Sequence, residues 1–180
     1  MAQEVGKYTY SKGALTVHFG EVTDLKIGRF CSIGSDVQIY LRPDHQTGWC
    51  TTYPLQMLDP KIDGFDHMTG KGEVVIGNDV WIGMGASIMS GVHIEDGAVI
   101  GAHSMVTKDV GAYNIFAGNP AVFKRLRFDL HFVLELLKIK WWDWPEEWIL
   151  KARPLLLSDN LNGLINFYND NKDKWEKHAG

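Results

Sequence analysis

A chain of 180 residues with 45% apolar content is ample for one cored domain and short for two. Its formal charge of −4, with no basic run to overrule it, excludes an electrostatic groove for nucleic acid. No apolar stretch is long enough to cross a membrane, and the opening MAQEVGKYTYSKG has no apolar segment of the secretory kind, so a cytoplasmic protein is expected.

In chain order, Val5 to Tyr10 shows an aliphatic, a glycine and a small residue at the fifth place, the shape of a first coil. Ser11 to Leu25 keeps only weak periodicity at Leu15, Val17 and Val22 and reads as irregular strand and loop. The pattern sharpens at Ile27-Gly28 and Ile33-Gly34, ends at Ile39, and is then interrupted. From Leu41 to Gly72 the chain is rich in Pro, Gly, Asp and aromatics, with no period. Such an insertion in a regular scaffold is where a functional site is expected.

From Val74 to Ala121 one spacing runs unbroken: Ile76, Ile82, Ile88, Ile94, Ile100 and Val106 recur every six residues. Four places after each stands Val80, Ala86, Val92, Ala98, Ser104 or Val110. A period of six fits neither a helix at 3.6 nor a strand at 2; it predicts short flat strands joined by turns, three to a triangular coil. Stacked coils lie about 4.8 Å apart, so the aliphatics form ladders inside a prism. Gly, Asn and Asp at the corners suit tight turns, as in Asn78-Asp79 and Glu95-Asp96-Gly97. Cys31 falls at an inward position and Cys50 in the insertion, and both are expected reduced and inert.

Beyond Pro120 the period becomes helical. Leu130, Val133, Leu134, Leu137 and Trp141 make one apolar stripe from Phe128 to about Lys140. Pro145 with Glu146 and Glu147 starts a second helix, and Ser158 ahead of Leu161, Leu164, Ile165 and Tyr168 a third, with a fraying tail from Asn169 to Gly180. Trp141, Trp142 and Trp144 are expected to cover an open coil end or a neighbouring subunit rather than to stack on a ligand. The division expected is a β-helix domain over 1–122, with the inserted loop 41–72, and a C-terminal helical extension over 123–180 packed on the same domain.

The hexad ladder, FCSIG at Phe30 to Gly34, PDHQTGWCTTYP at Pro43 to Pro54, IGNDVWIG at Ile76 to Gly83, AGNPA at Ala117 to Ala121 and WWDWP at Trp141 to Pro145 together resemble the xenobiotic acetyltransferase branch (chloramphenicol and streptogramin acetyltransferases) of the left-handed β-helix acyltransferases. The resemblance implies a left-handed parallel β-helix, a homotrimer with active sites between subunits, acetyl-CoA as donor and no metal. The acceptor implied is a hydroxyl or amine on a small molecule.

Acyl transfer from a thioester needs a base, a site for the developing oxyanion and a groove for the pantetheine arm. Of seven histidines, His93 and His103 sit at coil corners, His131 in the helical segment, His178 in the tail and His18 in the weak N-terminal region. His45 and His67 lie in the insertion, and the resemblance makes His45 the general base. It places coenzyme A contacts at Met84, Ala102, Thr107, Lys108 and Arg125, of which Lys108 and Arg125 carry the fixed charge that phosphates need. Trp81 is open to two roles, packing on the cofactor or forming a wall. An oxyanion donor is expected among the backbone N–H groups of Gly83 to Gly85. Two departures from the family are Val122, where many relatives are basic, and the short Ser11 to Leu25 connection, which bears on an antibiotic acceptor.

Three rival readings remain at this point. A sugar or nucleotide-sugar acetyltransferase would share the donor site. A non-catalytic trimeric scaffold would not need His45, Lys108 and Arg125 together. A zinc hydratase built on the same prism needs three converging histidines, and His93 and His103 are ten apart without a matching third.

Overall fold

The computed structural model describes residues 4–18, 24–59 and 68–175. They form two compact units, residues 1–125 and 126–180.

The first unit is the expected left-handed parallel β-helix. Strands numbered in chain order fall into three sheets, the faces of a prism, and successive coils pair in parallel. The first face holds β1 (Glu4–Val5), β4 (Leu25–Ile27), β9 (Val74–Ile76) and β12 (His93–Ile94). The second holds β2 (Tyr10–Ser11), β5 (Ser32–Ile33), β10 (Trp81–Ile82), β13 (Val99–Ile100), β15 (Asn114–Ala117) and β16 (Val122–Leu126). The third holds β3 (Leu15–His18), β6 (Val37–Tyr40), β11 (Ser87–Ile88) and β14 (Met105–Val106). Register follows the sequence period: Ile27, Ile76 and Ile94 stand opposite one another, as do Ile33, Ile82 and Ile100, and Ile39, Ile88 and Val106. These anchors and the small residues four places on are all buried. Ser104 is the polar exception, and its hydroxyl accepts the Gly118 N–H at 3.1 Å.

Two details of the hexad change with the structure. Gly77 and Gly83, which follow their anchors, are not at positive φ; they lack a Cβ because the next coil passes too close, and one on Gly83 would lie 2.5 Å from the Ala102 nitrogen. The left-handed turn is made elsewhere, in a column of Tyr8, Phe30, Asp79, Gly97 and Tyr113, with φ between 54° and 70°. Asp and Gly carry that conformation at low cost, and the aromatics are held in it by the stack of coils. Val110 is the second change. It bridges to Ile94 and so takes an anchor place on the first face, which shortens the last coil at that corner.

Within the stretch expected to be irregular, Leu15–His18 is regular: β3 pairs along its whole length with β6, completing the first coil. His18 on this strand contacts the Gln38 side-chain oxygen through Nε2 at 2.5 Å and stacks on Tyr40 with centroids 4.7 Å apart. Strand character continues past residue 122 through β16, and the compact unit ends at Arg125.

The second unit comprises α1 (Leu130–Ile139), α2 (Glu146–Leu156) and α3 (Leu161–Trp175), with α3 packed on the other two. Of the expected stripe, Val133 is buried and Leu137 and Trp141 half-buried, but Leu130 and Leu134 are exposed, and Leu136 and Ile139 complete the buried face of α1. Ser158 does not cap α3. Its hydroxyl donates to the Leu155 carbonyl behind it, and Asn160 caps α3 by accepting the Gly163 N–H at 2.9 Å. The tail expected to fray from Asn169 stays helical to Trp175. Trp142 and Trp144 are buried; Trp144 takes its ring partners from α3, stacking on Tyr168 at 5.9 Å, and its indole N–H donates to the Ile139 carbonyl. No helix of the described residues is long and apolar enough to cross a membrane.

Candidate active site

The insertion leaves the prism after β6, at the end of the third face, and returns at β9 on the first. It has structure of its own: β7 (Asp44–His45) runs antiparallel to β8 (Met68–Thr69), with Asp44 opposite Thr69 and His45 opposite Met68. Pro, Gly and mixed aromatics hid this ribbon because strands of two residues have no period to detect. The returning limb is fastened to the coils. The Lys71 N–H donates to the buried Ser90 hydroxyl at 3.1 Å, the Gly91 N–H donates to the Gly72 carbonyl at 3.0 Å, and Gly70 passes so close to the Leu41 carbonyl that no Cβ would fit. The Arg42 guanidinium donates to the Met68 carbonyl at 2.9 Å, tying the two limbs at their base.

His45, the expected base, opens into a cavity of about 350 Å³ lined by Asp44, Gln46, Thr47, Gly48, Thr69, Gly70 and Lys71. Its Nδ1 lies 2.7 Å from the Thr52 carbonyl oxygen. A carbonyl only accepts, so Nδ1 carries the proton in this contact, and in the neutral ring the lone pair is on Nε2. That is the tautomer a general base acting through Nε2 needs. Thr52 gave no signal in the sequence because its contribution is a backbone carbonyl. Lys71 and Ser90 were also missed; only the resumption of the hexad at Val74 hinted that the limb before it was held in place.

The five expected cofactor residues occupy three positions on the prism. Met84 and Ala102 stack at the corner between the second and third faces, where the His103 N–H donates to the Met84 carbonyl at 2.8 Å. Met84 is half exposed. Gly85 beside it has φ of 67° and faces the His103 ring, so both conformation and space require glycine there. Thr107 and Lys108 follow β14, exposed at the next corner, and the third face lies between the two corners. Arg125 is exposed on β16, in the second face. Trp81 is 58% exposed on the same face, between Ser32 and Val99.

Of the three backbone N–H groups expected to supply the oxyanion donor, two are committed. Gly83 donates to the Ile100 carbonyl at 2.8 Å and Gly85 to that of Ser35 at 2.9 Å. Met84 N–H is the one of the three without a bond to a neighbouring coil among the described residues. Of the other histidines in this unit, His93 lies on β12 with its backbone N–H donating to the Asp109 carboxylate at 2.8 Å, whereas His103 sits at this corner with its ring against Gly85. His67 and His178 fall outside the described residues. Among the described residues no group of three His, Cys, Asp or Glu side chains is arranged to hold a metal ion. Burial pushes the Cys31 thiol pKa up, and its Sγ donates to the Gly77 carbonyl oxygen 3.0 Å away, so it is a packing group; Cys50 is exposed in the insertion.

Residues 73–108 match the bacterial transferase hexapeptide family (six repeats). A chloramphenicol acetyltransferase of Agrobacterium fabrum is 40% identical, over 91% of this chain and 86% of that protein. A virginiamycin A acetyltransferase of Staphylococcus aureus is 34% identical, over 89% of this chain and 79% of the other. Among solved structures, an N-acyltransferase from Bacillus cereus in complex with dTDP-4-amino-4,6-dideoxyglucose and coenzyme A superposes with a TM-score of 0.52 at 26% identity, covering 74% of this chain and 68% of that one. With a match over most of both chains at this identity and a hexad prism, the chain belongs to the xenobiotic acetyltransferase branch of the hexapeptide-repeat acyltransferases and is an acetyl-CoA-dependent acetyltransferase acting on a small molecule.

Proposed function

We propose that this enzyme acetylates a hydroxyl of a small antibiotic of the chloramphenicol type, with His45 as general base and as a homotrimer. The observation that carries the reading is the Nδ1 contact of His45 with the Thr52 carbonyl inside the insertion's cavity. In this mechanism the acceptor oxygen attacks the thioester carbonyl carbon while His45 Nε2 takes the hydroxyl proton. The oxyanion is met by Met84 N–H. When the C–S bond breaks, the imidazolium returns the proton to the coenzyme A sulfur, so no acyl-enzyme is needed. The sequence-similar chloramphenicol and virginiamycin enzymes support an antibiotic acceptor. The structural likeness to an enzyme bound to a nucleotide-linked amino sugar keeps a second reading, a sugar acceptor. A thiol-release panel with chloramphenicol, a streptogramin and a dTDP-linked amino sugar tests this. Turnover is expected with chloramphenicol, and turnover with the amino sugar alone would install the second reading.

For the donor, we assign Met84, Ala102 and Thr107 to the pantetheine arm and Lys108 and Arg125 to the phosphates. Loss of one charge-assisted contact costs on the order of 1.5–3 kcal/mol. Lys108→Ala or Arg125→Ala should therefore raise the acetyl-CoA KM by roughly tenfold or more with a smaller fall in kcat. Dephospho-CoA should narrow the gap for whichever residue meets the 3′-phosphate. Unchanged KM in both variants would return these cations to solvent.

For assembly, the insertion carries Trp49, Tyr53, Leu55, Met57 and Leu58 exposed, the last two above 70%. A cyclic trimer would lay this apolar surface against the flat side of a neighbouring prism. Light scattering at micromolar protein should give three times the 20.3 kDa chain mass; a monomer would remove the shared-site arrangement.

A further inference from the structure

The cavity at His45 contains two opposite charges that do not neutralise each other. Asp44 and Lys71 both line it, and among the described residues no ion pair joins them. Asp44 adjoins His45 on β7 and is half-buried; Lys71 comes from the returning limb and is exposed.

Lys71 is also the residue at which that limb is pinned. Its N–H is held by the Ser90 hydroxyl, which is only 3% exposed, and its backbone presses on Gly91, whose φ of 73° and missing Cβ give the limb room. A flexible lysine on a free loop would be an ordinary solvated cation. Here the main chain is fixed to the coil, so the side chain always starts from the wall of the cavity that His45 also lines.

We infer that Lys71 is a specificity-determining residue of the acceptor site, donating to an oxygen of the acceptor while Asp44 accepts from one of its N–H or O–H groups. The proposal rests on the reading of this cavity as the acceptor site. Such a pair selects an uncharged molecule with a carbonyl- or nitro-type oxygen on one side of the reacting hydroxyl and an N–H or second hydroxyl on the other. A diphosphate-bearing sugar fits poorly, because its two negative charges would meet a single lysine and would also face Asp44.

The test compares Lys71→Met and Lys71→Arg with the wild-type enzyme, using chloramphenicol and acetyl-CoA as the probes. Removing a charge-assisted donor should raise the chloramphenicol KM roughly ten- to hundredfold with the acetyl-CoA KM unchanged, and Lys71→Arg should recover part of the loss. Asp44→Asn should raise the same KM, since it exchanges a charged acceptor for a neutral one. An unaltered chloramphenicol KM in Lys71→Met would overturn the inference. So would a rise confined to acetyl-CoA, which would put Lys71 in the donor groove, or a fall in kcat alone, which would put it in the chemistry. If the wild-type enzyme acetylates chloramphenicol and Lys71→Met does so equally well, only this inference fails; if the wild type does not acetylate it, the antibiotic reading fails and takes the inference with it.

Discussion

His45→Ala should lower kcat by about two to four decades and leave the acetyl-CoA KM nearly unchanged. A neutral alcohol is a poor nucleophile, and the benefit of a base within hydrogen-bond reach comes from removing its proton as the new C–O bond forms. Two local features hold the imidazole. β7 holds its backbone against β8, and the Thr52 carbonyl fixes the ring through Nδ1. The insertion's return limb is fastened to the coils by backbone and Ser90 contacts that do not involve the imidazole, so the substitution should not disturb the prism corners at Met84, Ala102 and Lys108. His67→Ala, in the same insertion, should lose far less. Retention by His45→Ala of more than about a tenth of the activity, or a dead His67→Ala, would move the base elsewhere.

The second large effect is on stability. Ile88 has no exposed surface and sits in the third-face ladder between Ile39 and Val106. Truncation to alanine removes apolar contact and leaves a cavity between coils that are bonded above and below and cannot collapse to fill it. Ile88→Ala should cost about 2–5 kcal/mol. For a chain of this length the midpoint Tm should fall by roughly 5–15 °C. Its neighbour Ser87 points outward from the same strand, and Ser87→Ala should stay within about 0.5 kcal/mol of the parent. Equal melting of the two variants would contradict the inward assignment of the ladder.

How much of this could be read in the sequence depends on whether a residue's role is periodic. The six-residue spacing specified the prism, its register and its buried ladders, because each coil repeats the same steric demand. The sequence also placed His45 in the insertion, and the resemblance of the surrounding motif singled it out among seven histidines. The features that escaped are local and aperiodic. The ribbon of β7 and β8 is too short to show alternation, and Thr52 acts through a carbonyl any residue could supply. Lys71 matters because of where Ser90 and Gly91 hold it. The stripe of α1 was misjudged for a related reason: Leu130 and Leu134 fit a helical face, but which face is buried depends on where α3 packs. Val110 was displaced by a shortened corner, which a count of six cannot anticipate.

The central claim is direct transfer from acetyl-CoA to an acceptor deprotonated by His45, and Cys50, exposed in the same insertion, makes the alternative concrete. The most direct test follows thiol release and intact protein mass together, first with acetyl-CoA alone and then with chloramphenicol added. Direct transfer predicts an unmodified chain and no thiol release above hydrolysis until the acceptor is present, then one acetylated acceptor for each thiol released. An acetylated chain that forms with acetyl-CoA alone and passes its acetyl group to the acceptor, or acceptor-dependent release that persists undiminished in His45→Ala, would contradict it.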